Sequence, residues 1–235
     1  MDNLDERLSA LDWDRIGATL DETGGACTGP LFSTEECAAL RTLWDDATFR
    51  SRIDMRRHGF GSGEYRYFDN PLPATVAALR QAAYPHLAPV ANRWAERLGK
   101  APDYPPTLSG MLTLCHQTGQ SRPTPLMLRY TEGDYNCLHQ DLYGDIAFPL
   151  QMVVQLSSPA QDFTGGEFVL VEQRPRMQSR PTVLAPGQGE AVIFATARKP
   201  RRGARGWTPS ILRHGVSRIE TGERMTLGII FHDAA

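Results

Sequence analysis

The 235-residue chain contains no apolar run near the roughly 20 residues that a bilayer-spanning helix needs. Passage through a membrane by helix is therefore excluded. Cysteine is scarce as well: Cys27, Cys37, Cys115 and Cys137 lie far apart and form no Cys-x-x-Cys pair. In a chain of this size they read as reduced thiols, not as a disulfide framework. The first residues, Met-Asp-Asn-Leu-Asp-Glu-Arg, are acidic and lack the basic start and apolar stretch of a signal peptide, so the expected location is cytoplasmic. No internal repeat or low-complexity tract is present. Only 6 histidines occur.

What is present is the composition of an ordinary globule, 41% hydrophobic and 22% charged, long enough for one substantial core with an extension packed on it. The net charge of -2 conceals an asymmetry. Residues 174–224 hold eleven Lys/Arg and three Asp/Glu, against 14 and 24 in the remainder. Such a segment suits anionic ligands, and it equally suits a solvated loop that balances the acidic part.

Residues 1–105 read as a helical region. Leu8, Leu11, Ile16 and Leu20 form an apolar stripe that Gly24-Gly25 ends. Ser33-Thr-Glu-Glu36 is a capping box that opens a second helix through Leu40 and Leu43. Pro73–Tyr84 and His86–Leu98 read as two further helices, parted at Pro85 because proline has no amide donor, and Gly99 closes the last. From Leu126 the period becomes that of strands: Leu126–Tyr130, Phe148–Ser157, Glu167–Val171, Thr182–Leu184, Glu190–Phe194 and Met225–His232. The expected class is α+β, a double-sheet jelly-roll core over 106–235 with the helical region packed on it.

Candidate chemistry centres on His139-x-Asp141, followed by His214 and then Arg224. Taken alone His-x-Asp carries little information. On a strand, however, the i, i+2 spacing turns both side chains to one face. Two imidazoles and one carboxylate then occupy one side of a metal and leave the rest open, which suits a non-haem Fe(II) site. Three open positions accept a bidentate 2-oxo acid and dioxygen. The distal carboxylate of such an acid calls for a fixed cation, and the planar fork of arginine matches it best. Arg224 opens the last strand, and alternation places Thr226 beside it. His58, His86, His116 and His232 read as core or surface residues. Glu167 and Glu172 lack the i+2 relation to a histidine.

With His139, Asp141, His214, Arg224 and Thr226 in this order, the chain resembles the 2-oxoglutarate/Fe(II) dioxygenase superfamily. The resemblance implies a double-stranded β-helix and oxidation of a C–H bond, with 2-oxoglutarate converted to succinate and CO2. It also implies a cosubstrate contact at Tyr130. Arg122–Tyr130, Asn136–Gly144, Glu172–Arg180 and Arg213–Arg218 further resemble a bacterial subfamily of nucleic-acid-modifying oxygenases related to AlkB-type alkylation-repair enzymes. That likeness runs from Trp13 to Ala234. It implies DNA repair by oxidative demethylation of a modified nucleobase, met as a single strand or a flipped base. One departure is Ile230, where AlkB-type enzymes carry a second arginine. Gly165-Gly166-Glu167-Phe168 also recurs in relatives, although a tight turn accounts for it.

Two segments bear on the substrate. Arg198–Arg205 includes Arg201, Arg202 and Arg205 and could contact a phosphate backbone. Met55–Phe68, with Tyr65 and Tyr67, reads as a mobile lid able to stack a base. Each is equally a solvated or docked loop. Two other functions fit the same site: a prolyl or other protein-side-chain hydroxylase, and a non-catalytic sensor of 2-oxoglutarate or iron. Nothing in the sequence calls for an obligate protein partner.

Overall fold

The computed structural model describes residues 4–141, 144–174 and 176–235. Leu142, Tyr143 and Pro175, which belong to the segments singled out above, lie outside them. The chain runs α1 (Leu4–Ser9), α2 (Trp13–Thr23), β1 (Gly25–Pro30), α3 (Thr34–Asp46), β2 (Phe49–Asp54), β3 (Gly61–Ser62), β4 (Glu64–Phe68), α4 (Ala74–Arg97) and α5 (Leu108–Gln117). A strand series follows: β5 (Leu126–Thr131), β6 (Tyr135–His139), β7 (Leu150–Gln155), β8 (Phe163–Gly165), β9 (Phe168–Gln173), β10 (Arg180–Leu184), β11 (Glu190–Ala195), β12 (Arg198–Gly203), β13 (Gly206–Val216) and β14 (Ile219–Ile230).

Two sheets form the jelly roll. The larger has the order β1-β11-β7-β14-β5-β4-β2, with β8 beside β14; the smaller is β10-β9-β13-β6-β3, with β12 beside β13. The main core includes buried Leu79, Leu87 and Trp94 of α4 together with Phe148, Met152, Ile193, Leu227 and Phe231. The expected α+β double-stranded β-helix is therefore the observed fold.

Local signals explain several boundaries. Ser33 accepts from the Glu36 amide and Glu36 accepts in return from Ser33, the reciprocal cap read in the sequence. The stripe from Leu8 to Leu20 is two helices, because Asp12 caps Arg15 and starts α2 afresh. Gly24 closes α2 in the left-handed conformation, its amide bonded to Leu20. One expected break is absent. α4 continues through Pro85 and Pro89. An interior proline costs about 3 kcal/mol, and the burial of Val76, Leu79, Ala83, Leu87, Val90 and Trp94 along the helix offsets it.

The helical reading of residues 1–105 needs a larger correction. β1 joins β11 at one edge of the large sheet, β2 and β4 extend its other edge through β5, and β3 pairs with β6. The Met55–Phe68 segment is thus a 3-10 turn (Met55–His58) followed by two strands, with Met55 and Phe68 buried. Its strands β3 and β4 form part of the barrel wall. The basic segment likewise is a hairpin: β12 pairs with the first half of β13, and Gly203 opposite Gly206 closes a two-residue turn.

Candidate metal centre and its cavity

The triad is assembled by strand pairing. His139 ends β6, His214 lies directly opposite it on β13, and Asp141 follows two residues after His139. The candidate ligand atoms of all three lie within 4.8 Å of one another. His139 Nε2 is 3.5 Å from Asp141 Oδ1, and His214 Nε2 is 3.2 Å from Asp141 Oδ2. Asp141 and His214 are buried. His139 Nδ1 lies 2.8 Å from the Cys137 carbonyl, which fixes the ring so that Nε2 turns to the shared centre.

Charge follows from this geometry. Burial pushes the Asp141 carboxyl up, but the two imidazoles outweigh it and hold the group well below the ordinary carboxylate range. Burial lowers His214, despite the opposing pull of Asp141. For His139 burial acts downward too, yet the contact with Asp141 raises it overall. A carboxylate with a neutral buried imidazole is the protonation state a metal requires.

A cavity of about 460 Å³ opens on this triad. Arg224, Thr226, Gly228 and Ile230 line it along β14 at i, i+2 spacing, with Leu126, Leu128 and Tyr130 from β5 and Tyr65 and Tyr67 from β4. Arg224 stands opposite Tyr130 and Thr226 opposite Leu128. Both are buried, and Arg224 Nε and Thr226 Oγ1 have no hydrogen-bond partner among the described residues. Burial lowers Arg224 to about 10, partly opposed by Tyr130 and Glu167. A buried guanidinium and hydroxyl left unsatisfied at a cavity wall fit an anionic ligand such as a carboxylate. The triad and this pair therefore suit Fe(II) and 2-oxoglutarate together.

Most candidates from the sequence meet here: His139, Asp141, Gln140, His214, Tyr130, Arg224, Thr226, Tyr65 and Tyr67 all line the cavity. Arg201, Arg202 and Arg205 do not; their hairpin runs away from His214 along β12 and β13. Gly165 and Gly166 make a turn with φ of 71° and 65°. A Cβ on Gly166 would collide with Ile219 Cδ1, so conformation and close packing explain the pair. The other histidines lie elsewhere: His86 stacks on Trp13, His116 contacts Asp233, and His232 Nδ1 accepts from the Phe148 amide. Glu172 is held by Ser210 and Arg174, and Glu167 by Ser217.

Three neighbours escaped the sequence reading. Gln151 Nε2 donates to Asp141 Oδ2 at 2.8 Å from β7. Asn136 Nδ2 donates to the Tyr130 hydroxyl at 3.4 Å. Phe60, 47% exposed, stands at the rim. A glutamine within the apolar run Leu150–Gln155 was the available signal for the first. Gln140 plays a structural part, because its amide donates to the Ala197 and Leu212 carbonyls and ties the segment between the ligands to its neighbours.

A model of the Oxygenase-NA family, described as "Oxygenase, catalysing oxidative methylation of damaged DNA", matches residues 63–234. The chain is 51% identical over 168 residues, 72% of each chain, to an uncharacterized protein of Mycobacterium tuberculosis, Rv2227. Among solved structures, a Pseudomonas putida prolyl-4-hydroxylase aligns with TM-score 0.55 and 14% identity, covering 95% of this chain and 99% of that one. An oxidoreductase of the 2OG-Fe(II) oxygenase family from Burkholderia pseudomallei aligns with TM-score 0.52 and 19% identity, covering 95% and 93%. At these identities the structural likenesses establish the fold.

Proposed function

This chain belongs to the Oxygenase-NA family and is a 2-oxoglutarate/Fe(II)-dependent dioxygenase, and from that premise we propose that it removes alkyl groups from a nucleobase. The observation that carries this reading is the cavity wall. Tyr65 and Tyr67, ring centroids 5.5 Å apart and edge-on, face the triad side with Phe60 at the rim. Flat aromatic walls suit a flat base, and a cavity of this size accepts one nucleobase beside a small dicarboxylate.

The bound metal, with 2-oxoglutarate and dioxygen, supplies an oxidant able to hydroxylate an unactivated C–H bond. This chain's residues do the rest. His139, Asp141 and His214 would hold the metal. Arg224 and Thr226 would receive the distal carboxylate of 2-oxoglutarate, and the Tyr130 hydroxyl, oriented by Asn136, stands beside them. Burial pushes that hydroxyl up to about 12, with Arg224 pulling the other way, so it stays a protonated donor at neutral pH. Ile230 presents an apolar side chain at the cavity where a second arginine would stand, which leaves Arg224 as the cation of that wall.

For an N-methyl base, one oxygen atom enters the methyl C–H bond and the other enters succinate, with loss of CO2. The resulting N–CH2OH group breaks its C–N bond, releases formaldehyde and leaves N–H. Oxidation at a methyl carbon thus removes it, because the reaction contains no methyl donor. Formaldehyde and succinate formed together on methylated single-stranded oligonucleotides, and absent with unmethylated strands, are the expected result. Turnover only with proline-containing peptides would transfer the chemistry to a protein substrate.

A further inference from the structure

Arginines on the two sides of this molecule differ in their partners. Arg7, Arg41, Arg52, Arg56, Arg66 and Arg129 each form an ion pair with a carboxylate. Beyond Arg174, which pairs with Glu172, that pattern ends. Arg198, Arg202, Arg205 and Arg213 are exposed, and none has a carboxylate at ion-pairing distance among the described residues.

Strand register gathers three of them on one surface. Residues directly opposed across a ladder share a face, as do residues at i, i+2. Arg198 opposes Ile211, Arg202 opposes Trp207, and Arg213 lies two residues beyond Ile211. All are offset by an odd number from His214 or pair with such positions, so they lie on the face of the small sheet opposite His214, which near the hairpin also carries Pro200, buried, and Trp207, which lies beneath Arg97 of α4. The inner face carries Leu212 and His214, both buried. Leu138, opposite in facing to His139 and 48% exposed, stands where this outer face meets the cavity rim. Ile211, 39% exposed, adds apolar ground between the cations, and Val183, 58% exposed, adds more on the same face beyond Arg213. From Arg213 to the row of Arg202 the strand covers about 20 Å at ~3.3 Å per residue.

We propose that the outer face of the small sheet, from Leu138 through Arg213 and Arg198 to Arg202, is a track for the backbone of a single-stranded nucleic acid whose target base enters the cavity on the inner side of the same strand. The inference rests on the nucleobase reading above. Uncompensated cations at intervals complement a line of phosphates, and the exposed aliphatic surface among them suits bases more than the side chains of an acidic peptide. The basic hairpin therefore serves the site from a distance, by guiding the strand and not by lining the cavity.

The test is fluorescence anisotropy of an unmodified single-stranded oligonucleotide over a range of salt. In the variant Arg198→Gln/Arg202→Gln/Arg213→Gln, loss of three phosphate contacts should reduce the slope of log K against log salt by about 2. Thermal stability and substrate-independent succinate formation should not change. The control Arg52→Gln/Arg57→Gln, which removes arginines already paired with Glu64 and Asp54, should keep the full slope. Wild-type binding with an unchanged slope in the triple variant, or an equal loss in the control, would overturn the track and leave the nucleobase reading standing. A wild-type protein that binds no oligonucleotide at low salt would remove that reading and the track with it. Tighter capture of a poly-glutamate peptide of matched charge would assign the face to an acidic protein instead.

Discussion

Replacing Arg224 with leucine should act in opposite directions on cosubstrate binding and on the stability of the ligand-free protein. The guanidinium is 3% exposed, its Nε lacks a partner, and burial brings it from 12.5 down to about 10. A displacement of that size corresponds to roughly 3 kcal/mol against the charged form in the folded state. The sign follows directly: a base lowered on folding carries its full penalty below pH 10 and loses it as pH rises through that value. Between pH 6 and 8 the penalty is constant, so Arg224→Leu should stabilise the ligand-free protein by a pH-independent amount. Loss of a buried, hydrogen-bonded charge partner typically costs 2–5 kcal/mol of binding. At about 1.4 kcal/mol per tenfold, the 2-oxoglutarate requirement should rise between about 30-fold and a few thousand-fold. Succinate formation titrated with 2-oxoglutarate reads the second effect and thermal unfolding the first. Arg224→Lys should recover only part of the affinity, since lysine lacks the planar fork. An unchanged 2-oxoglutarate requirement in Arg224→Leu would refute the reasoning.

Other consequences can be measured separately. Gln151→Leu removes the amide that orients Asp141 and should weaken metal binding about 10- to 100-fold, read by titration with Mn(II); unchanged affinity would deny Gln151 a positioning role. Tyr65→Ala should raise KM for a methylated strand while leaving substrate-independent succinate formation intact, and an unaltered KM would take that wall out of substrate recognition. Metal removal by a chelator should preserve the circular dichroism spectrum, because the triad sits on strands whose core is built by other residues; unfolding on chelation would contradict this.

The fold class and the grouping of the candidate residues at one cavity were legible in the sequence, whereas several flanking strands were not. His139, Asp141, His214, Arg224 and Thr226 could be found because alternation along a strand is a local rule, and two short stretches plus one late strand suffice to build the wall. Gln151 could not, since its role depends on β7 lying across the barrel from Asp141, a pairing no local pattern announces. The buried strands β7 and β11 were readable as apolar runs, and their observed ends lie within two residues of those expected. β12 was missed because it is a run of cations with no apolar alternation, and β2 and β4 because their alternation, Phe49 and Ile53 against Arg50 and Arg52, and Tyr65 and Tyr67 against Glu64 and Arg66, spans only 6 and 5 residues. Their cations instead pack on rings, as Arg66 does over Trp44 at 3.9 Å, or remain exposed, as Arg198 does. In α4 the proline rule gave way to tertiary burial. No helix among the described residues is long and apolar enough to cross a membrane, in line with the hydropathy of the sequence.

The account depends most on one claim, that His139, Asp141 and His214 hold Fe(II) while Arg224 holds 2-oxoglutarate in the same cavity. Anaerobic addition of Fe(II) and 2-oxoglutarate, followed by visible absorption, tests it without any substrate. The account predicts the charge-transfer band of an Fe(II)-chelated 2-oxo acid in the wild type, its loss in His214→Ala, and its recovery in Arg224→Leu only at much higher 2-oxoglutarate. A band of full strength in His214→Ala would contradict it.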